Sequence, residues 1–261
     1  MRNVRSKDST LIAFERQGNG PPLLIVDGAL CRRAFGPSSR LAARLAPHFT
    51  VYTYDRRGRG ESGDTVPYAP SREVEDLAAL VREAGGSATL LGLSSGAALA
   101  LQAATAVPGV EQVIAYEPPY VDDSGERGGD RFEADLQRLV AGGNRAGAVK
   151  YFMKDMVGVP APFVVIMRLM PWLWRKLEAV AHTLPYDAAV MTGFRIPRAQ
   201  LASIAVPVLM MNGSKTQPRL RDAARAIADT IPGARYRELP GQTHNVNPGV
   251  LAPAVVEFAR P

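Results

Sequence analysis

Residues 90–100 read LLGLSSGAALA, two adjacent serines between Gly92 and Gly96. In this G-x-S-x-G spacing Ser94 is the central residue. A serine there can attack a carbonyl carbon once three things are supplied: a base to take its proton, an acid to hold the base, and N–H donors for the oxyanion. The pattern by itself arises by chance; its setting makes it specific. SATLLGL reads as a buried strand before it and SGAALALQAATA as a helix after it. The turn between them is tight, so glycines at 92 and 96 leave room where backbones come close. Ser94 is then expected at a strained tip with its hydroxyl exposed. Ser95 follows, and its backbone N–H rather than its side chain is expected to face a developing oxyanion.

The base must be a histidine, and the chain has three. His48, in LAPHF, precedes a strand and reads as helix-end packing. His182 lies in a helical stretch. His244, in LPGQTHNVNP, follows the last predicted strand in a polar loop and is the expected base. The acid usually follows the strand VPVLMMNG, but that loop offers Asn212, Ser214, Lys215 and Thr216 and no carboxylate. Asp222 lies several residues into the next helix, too far along. Glu117 ends the strand VEQVIAYE and is followed by two prolines that stop the strand sharply. Ligand and catalytic groups gather at strand C-termini in open α/β sheets, which makes Glu117 the expected acid. A second oxyanion donor is expected from Asp27-Gly28-Ala29-Leu30 after LLIV: the N–H of Gly28 or of Ala29. Cys31 reads as a small packed residue rather than a nucleophile.

Gly58, Gly60 and Gly63 in DRRGRGESGD spell G-x-G-x-x-G after a strand. A dinucleotide site requires a helix to start there; DTVPYAP follows instead, so the segment reads as a structured loop.

These residues need a scaffold. LIAFERQG, PPLLIVDG and FTVYTYD read as strands, and Leu41 and Leu45 lie one helical turn apart between the last two. SREVEDLAALVREAGG is an amphipathic helix with Ser71 as its expected N-cap and Gly85 near its end. After Glu117 the alternation of strand and helix stops until residue 200. Both tryptophans and five of the eight methionines fall in that interval. It resumes with VPVLMMNG, the helix RLRDAARAIADTI, the strand ARYRELPG and a last helix opened by Asn247-Pro248, whose Leu251, Val255 and Phe258 form one face. Such alternation predicts an α/β architecture, a mostly parallel sheet covered on both faces. Residues 1–117 and 201–261 form the expected core and 118–200 a helical cap inserted after the sixth strand.

The bulk properties fit. The chain has 261 residues, 46% hydrophobic, enough for one sizeable core. The net charge of +6 raises nucleic acid as a partner, but the basic runs CRR, DRRGRG and RLRDAAR are short and broken by acids. They read as a solvated arginine-rich surface, and nucleic acid is not an expected partner. The single cysteine permits no internal disulfide. No run approaches the length of a membrane span, and the N-terminus has no apolar signal-peptide region, so a cytoplasmic protein with no membrane partner is expected.

With nucleophile, acid and histidine in this chain order, the sequence resembles the α/β-hydrolase superfamily over nearly its whole length. DG after the third strand, YDRRGRGES after the fourth, GLSSGA at the elbow and LPGQTH at the histidine carry the resemblance. It departs at Asp27, where many relatives have histidine, and in lacking the late acid. In both departures it is similar to the zearalenone lactonases, which have a DG turn, an SSGA elbow and a glutamate after the sixth strand as triad acid. YEPP at 116–119 stands where their glutamate-proline does. Some haloalkane dehalogenases also put their acid there, but their nucleophile is aspartate.

The expected chemistry is hydrolysis of a hydrophobic carboxylic ester or lactone through an acyl-enzyme on Ser94, with no metal and no cofactor. APFVVIMRLMPWLWRKLEAV suggests an adaptable apolar ceiling, with Met167, Trp172 and Trp174 above the serine and Leu30 and Leu93 beside it. Arg168, Arg175 and Lys176 read as solvated. Two other readings use the same residues: an acyl cyclase or condensing enzyme of secondary metabolism, and a ligand-binding receptor that keeps the pocket for recognition. Released acid argues against the first; the intact Ser, Glu and His set argues against the second. A homodimer is compatible with the sequence, which does not identify the natural substrate, the pathway or whether the cap opens.

Overall fold

Along the central strands successive side chains point to opposite faces, and in this chain both sets are apolar, so the sheet must be covered on both sides. The computed structural model describes residues 2–121 and 129–259. Its strands, in chain order, are β1 Arg2–Arg5, β2 Leu11–Gln17, β3 Pro22–Val26, β4 Thr50–Tyr54, β5 Ala88–Leu93, β6 Val110–Tyr116, β7 Val208–Gly213 and β8 Arg235–Leu239. They form one sheet in the order β1-β2-β4-β3-β5-β6-β7-β8. β1, β2 and β4 pair antiparallel, and every pairing from β4 through β8 is parallel.

Helices α1 Ser38–Leu45, α2 Pro70–Glu83 and α3 Ser95–Ala104 precede β6. Between β6 and β7 come α4 Gly129–Ala141, α5 Arg145–Tyr151, α6 Ala161–Arg168, α7 Pro171–Val180, α8 Leu184–Val190 and α9 Arg198–Ala202. α10 Pro218–Thr230 and α11 Pro248–Ala259 complete the chain. Leu24, Val26, Leu90, Val113 and Met210 face a cluster with α2, α3 and α10. Their neighbours Leu23, Ile25, Leu91, Ile114 and Met211 face α1 and α11, where Leu41, Leu45, Leu251 and Val255 are buried and Phe258 packs at the edge. A third cluster, including Leu136, Phe152, Trp174, Leu177 and Leu184, joins most of the inserted helices to Leu30. Residues 122–128 of the expected insert lie outside the described residues.

Several expectations change. β1 has no pattern of its own in the sequence: RNVR is short, polar and largely exposed, and it becomes a strand by pairing with β2 at the sheet edge. Ser71 is not the cap of α2. The helix starts at Pro70 behind an extended Ala69, a position where proline's fixed φ and missing N–H fit. DRRGRG is not a solvated surface. Arg56, Arg57 and Arg59 are each 1% exposed and ion-paired. Arg56 forks onto Glu73 with Nε and Nη2 both at 2.7 Å. Arg57 forks onto Asp76 and also reaches Asp8 at 2.8 Å. Burial pushes the Asp76 carboxyl up to about 6, against the pull of Arg57. Gly58 and Gly60 have positive φ within this loop, and no helix begins there.

Candidate active site

The close approaches at the elbow explain its glycines. A Cβ on Gly92 would lie 2.5 Å from the Ala97 Cα, and one on Gly96 would lie 2.1 Å from the Val26 carbonyl. Any side chain at either position would have to displace backbone. Ser94, between β5 and α3, has φ 55° and ψ −125°, a conformation costly for a non-glycine residue and found where a turn is over-determined by its surroundings. Its N–H donates to the Tyr116 carbonyl, so the ladder between β5 and β6 continues to the turn.

Glu117 follows β6 in the same way. Its φ is also positive, 49°, its N–H donates to the Met211 carbonyl, and its side chain is fully buried. The carboxylate is well supplied with donors. Oε1 accepts from the Gly213 N–H at 2.8 Å and the Thr216 hydroxyl at 2.6 Å. Oε2 lies 2.6 Å from His244 Nδ1. Thr216 thus stands in the loop after β7, which carries no carboxylate, and supports the carboxylate of Glu117 instead. Sequence reasoning missed that role, although a hydroxyl in that loop was the available signal.

His244 lies in the loop after β8, half-buried, with Nε2 3.1 Å from Ser94 Oγ. Tyr116 donates its hydroxyl to the Thr243 carbonyl at 2.6 Å and ties that loop to the end of β6. Ser94, Glu117 and His244 are therefore brought together in one chain of hydrogen bonds. The other histidines are elsewhere: His48 lines a separate hollow beside Arg44 and α11, and His182 is half-buried in a turn before α8, its pKa lowered chiefly by burial.

A cavity of about 320 Å³ opens over Ser94 and His244. Its apolar wall is Phe152, Met156, Val157, Met191 and Phe194; Thr216, Gln217, Lys215 and Arg219 line another part. None of the five residues expected to contact substrate is on it. Leu93 packs under α11 in the sheet core, and Leu30 and Trp174 are buried in the helical cluster. Met167 packs on the outside of that cluster, and Trp172 is 58% exposed. The bulky residues of α6 and α7 face away, and the turn after α5 and the segment after α8 supply the wall instead.

Among the expected oxyanion residues, Ala29 and Ser95 line the cavity and Gly28 does not. Gly28 packs against the elbow: a Cβ there would lie 3.0 Å from the Leu93 carbonyl and from the Ser94 Cβ. Among the described residues, the N–H groups of Ala29 and Ser95 have no hydrogen-bond acceptor. Ser95 opens α3, where the first N–H groups of a helix lack partners within it. Its hydroxyl turns away from the cavity to Asp187, 2.7 Å distant. Burial pushes the Cys31 thiol up to about 12, which leaves it un-ionised near neutral pH and fits a packing residue. Among the described residues no three His, Cys, Asp or Glu side chains cluster as a metal site, and no helix is long and apolar enough to cross a membrane.

The chain has clear relatives. Residues 23–257 match the family model described as "Alpha/beta hydrolase family". An alpha/beta hydrolase from Sphaerobacter thermophilus is 51% identical and superposes with a TM-score of 0.92, covering 99% of this chain and 100% of that one. An enol-lactonase from Burkholderia xenovorans, 19% identical, has the same fold at a TM-score of 0.73 over 98% of this chain and 99% of its own. A pimeloyl-[acyl-carrier protein] methyl ester esterase from Xanthomonas campestris is 29% identical over 242 residues, 87% of this chain and 89% of that protein. With the strand order above, the fold class expected from the sequence is the one found.

Proposed function

From the membership of this chain in the alpha/beta hydrolase family, we propose that it is a serine hydrolase that cleaves a hydrophobic carboxylic ester or lactone through an acyl-enzyme on Ser94. The observation that carries the reading is the relay from Glu117 Oε2 through His244 to Ser94 Oγ, at 2.6 and 3.1 Å.

His244 Nε2 takes the Ser94 proton as Oγ attacks the substrate carbonyl. The N–H groups of Ala29 and Ser95 hold the oxyanion, and neither has to break another hydrogen bond to do so. Glu117 keeps the Nδ1–H tautomer and stabilises the imidazolium. The imidazolium then protonates the leaving oxygen. Water, deprotonated by His244, attacks the acyl-enzyme and releases the acid. In this reading residues 118–200 cap the site. The apolar wall of Phe152, Met156, Met191 and Phe194 favours an apolar acyl or alcohol group. The methyl ester named for the Xanthomonas relative supports ester cleavage.

The test is product analysis. Apolar p-nitrophenyl esters and lactones are incubated with wild type and Ser94→Ala, and the free acid is measured. Acid from wild type alone is expected. Esters and lactones left intact by folded wild type, or acid released equally by Ser94→Ala, would overturn the reading.

A further inference from the structure

The oxyanion loop is held from outside the sheet core. Asp187, on α8 of the inserted helices, is fully buried, and each of its oxygens is engaged. Oδ1 accepts from Arg56 Nη1 and from the Ser95 hydroxyl, both at 2.7 Å. Oδ2 accepts from Arg59 Nη2 at 2.6 Å. Burial works against the charged carboxyl, but Arg59 and Arg56 outweigh it and hold its pKa below the ordinary value.

The two guanidiniums reach on from Asp187 to the loop. Arg59 Nη1 donates to the Gly28 carbonyl at 2.7 Å and to that of Cys31 at 3.3 Å, while its Nε donates to the Thr183 hydroxyl. Arg56 Nη1 reaches the Asp27 carbonyl at 3.3 Å. In a planar trans peptide the C=O and the following N–H point in opposite directions. With the Gly28 carbonyl turned to Arg59, the Ala29 N–H is turned the other way, and Ala29 lies on the cavity wall. Gly28 has no Cβ, so its side of that peptide is less restricted than in other residues, and the bond from Arg59 to its carbonyl holds the orientation.

We propose that Asp187 and Arg59 are positioning residues of the oxyanion site, Asp187 fixing Ser95 through its hydroxyl and fixing Arg59, which aims the Ala29 N–H. The inference rests on the hydrolase reading above. It makes α8 part of the active centre: movement of that helix away from α3 and the arginine loop would release both oxyanion donors together. A residue that only stabilised the fold would change the amount of active protein and leave turnover per active serine unchanged.

The experiment measures Asp187→Asn, Arg59→Lys and wild type on a p-nitrophenyl ester, normalised per serine titrated with a fluorophosphonate, together with inhibition by an alkylboronic acid, which forms a tetrahedral adduct. Asp187→Asn strips a counter-charge from two buried guanidiniums and endangers the fold. Arg59→Lys keeps the charge but replaces a fork that now serves Gly28, Thr183 and Asp187. A crystal structure of the wild-type boronate adduct requires no variant. Expected are a fall in kcat of about 10- to 100-fold, a KM within about threefold, and boronate affinity weakened in step with kcat/KM. The adduct oxygen should accept from the Ala29 and Ser95 N–H groups, with Arg59 still on the Gly28 carbonyl. A folded variant with wild-type kcat per titrated serine, or an adduct oxygen held by other donors, would overturn the inference. A wild type inert to ester, fluorophosphonate and boronate would overturn the hydrolase reading instead.

Discussion

Replacing Glu117 by glutamine changes one oxygen to an NH₂ and separates the two duties of this carboxylate. Glu117 accepts from three donors: the Gly213 N–H, the Thr216 hydroxyl and His244 Nδ1. Glutamine has one oxygen to offer. If that oxygen faces His244, the productive tautomer survives, but the NH₂ then meets the Gly213 N–H. Thr216 can rotate its hydroxyl to accept; a backbone N–H cannot. A buried unpaired donor costs about 1–3 kcal/mol, which favours the opposite orientation. There the oxygen keeps Gly213 and Thr216, and the NH₂ faces Nδ1. Nδ1 must then be bare and Nε2 protonated, so the ring cannot accept the Ser94 proton. Loss of the carboxylate's charge on the imidazolium adds to this. Together they should lower kcat by about 10³- to 10⁴-fold, or about 4–5.5 kcal/mol of transition-state stabilisation, with the fold retained. The assay is acylation of Glu117→Gln and wild type in single turnover from pH 6 to 9. Acylation within about tenfold of wild type would refute both the tautomer argument and the assignment of the acid.

Three further outcomes follow from the structure. Asp27 is buried, its carboxylate oxygens have no hydrogen-bond partner among the described residues, and burial raises its pKa from 3.8 to about 6. The folded state therefore holds this proton more tightly than the unfolded chain, and stability falls as pH rises from about 4 to about 6 and stays lowered above that. Asp27→Asn should be more stable than wild type by up to about 3 kcal/mol at pH 8, with the gain fading by about pH 4; urea denaturation at both pH values would show it, and an Asn variant weaker at pH 8 would contradict it. Gly96→Ala puts a Cβ 2.1 Å from the Val26 carbonyl and should destabilise by about 3 kcal/mol or more, read as a fall in Tm. Met191→Trp should shrink the cavity, raise KM for long-chain p-nitrophenyl esters by about tenfold and leave the acetate little changed; equal effects on both would move substrate out of this cavity.

The parts of the site that could be read from sequence were those set by local pattern. Ser94 announced itself by glycines whose close contacts lie within the same strand, turn and neighbouring strand. His244 followed from its place after the last strand. Glu117 was reachable because the loop after β7 contains no carboxylate at all. What could not be read depended on pairing across long stretches of chain. Arg56 and Arg59 looked like surface residues because their partner Asp187 lies 131 and 128 residues away, inside the helices that interrupt the sheet. Charge composition cannot distinguish a solvated arginine from one whose acid arrives from another element. The cavity wall failed for a related reason. Size and softness single out Met167, Trp172 and Trp174, but which way a helix in the insert turns is decided by its packing. α6 and α7 turn those side chains into the cluster or out to solvent, leaving the cavity to Phe152, Met156, Met191 and Phe194.

The central claim is that Ser94 is an activated nucleophile at the end of the Glu117–His244 relay. Intact-protein mass after incubation with a fluorophosphonate tests it most directly, for wild type, Ser94→Ala and Glu117→Gln. The account predicts one adduct on wild type, none on Ser94→Ala, and slow formation on Glu117→Gln. An unlabelled but folded wild type, or an adduct that persists in Ser94→Ala, would contradict it.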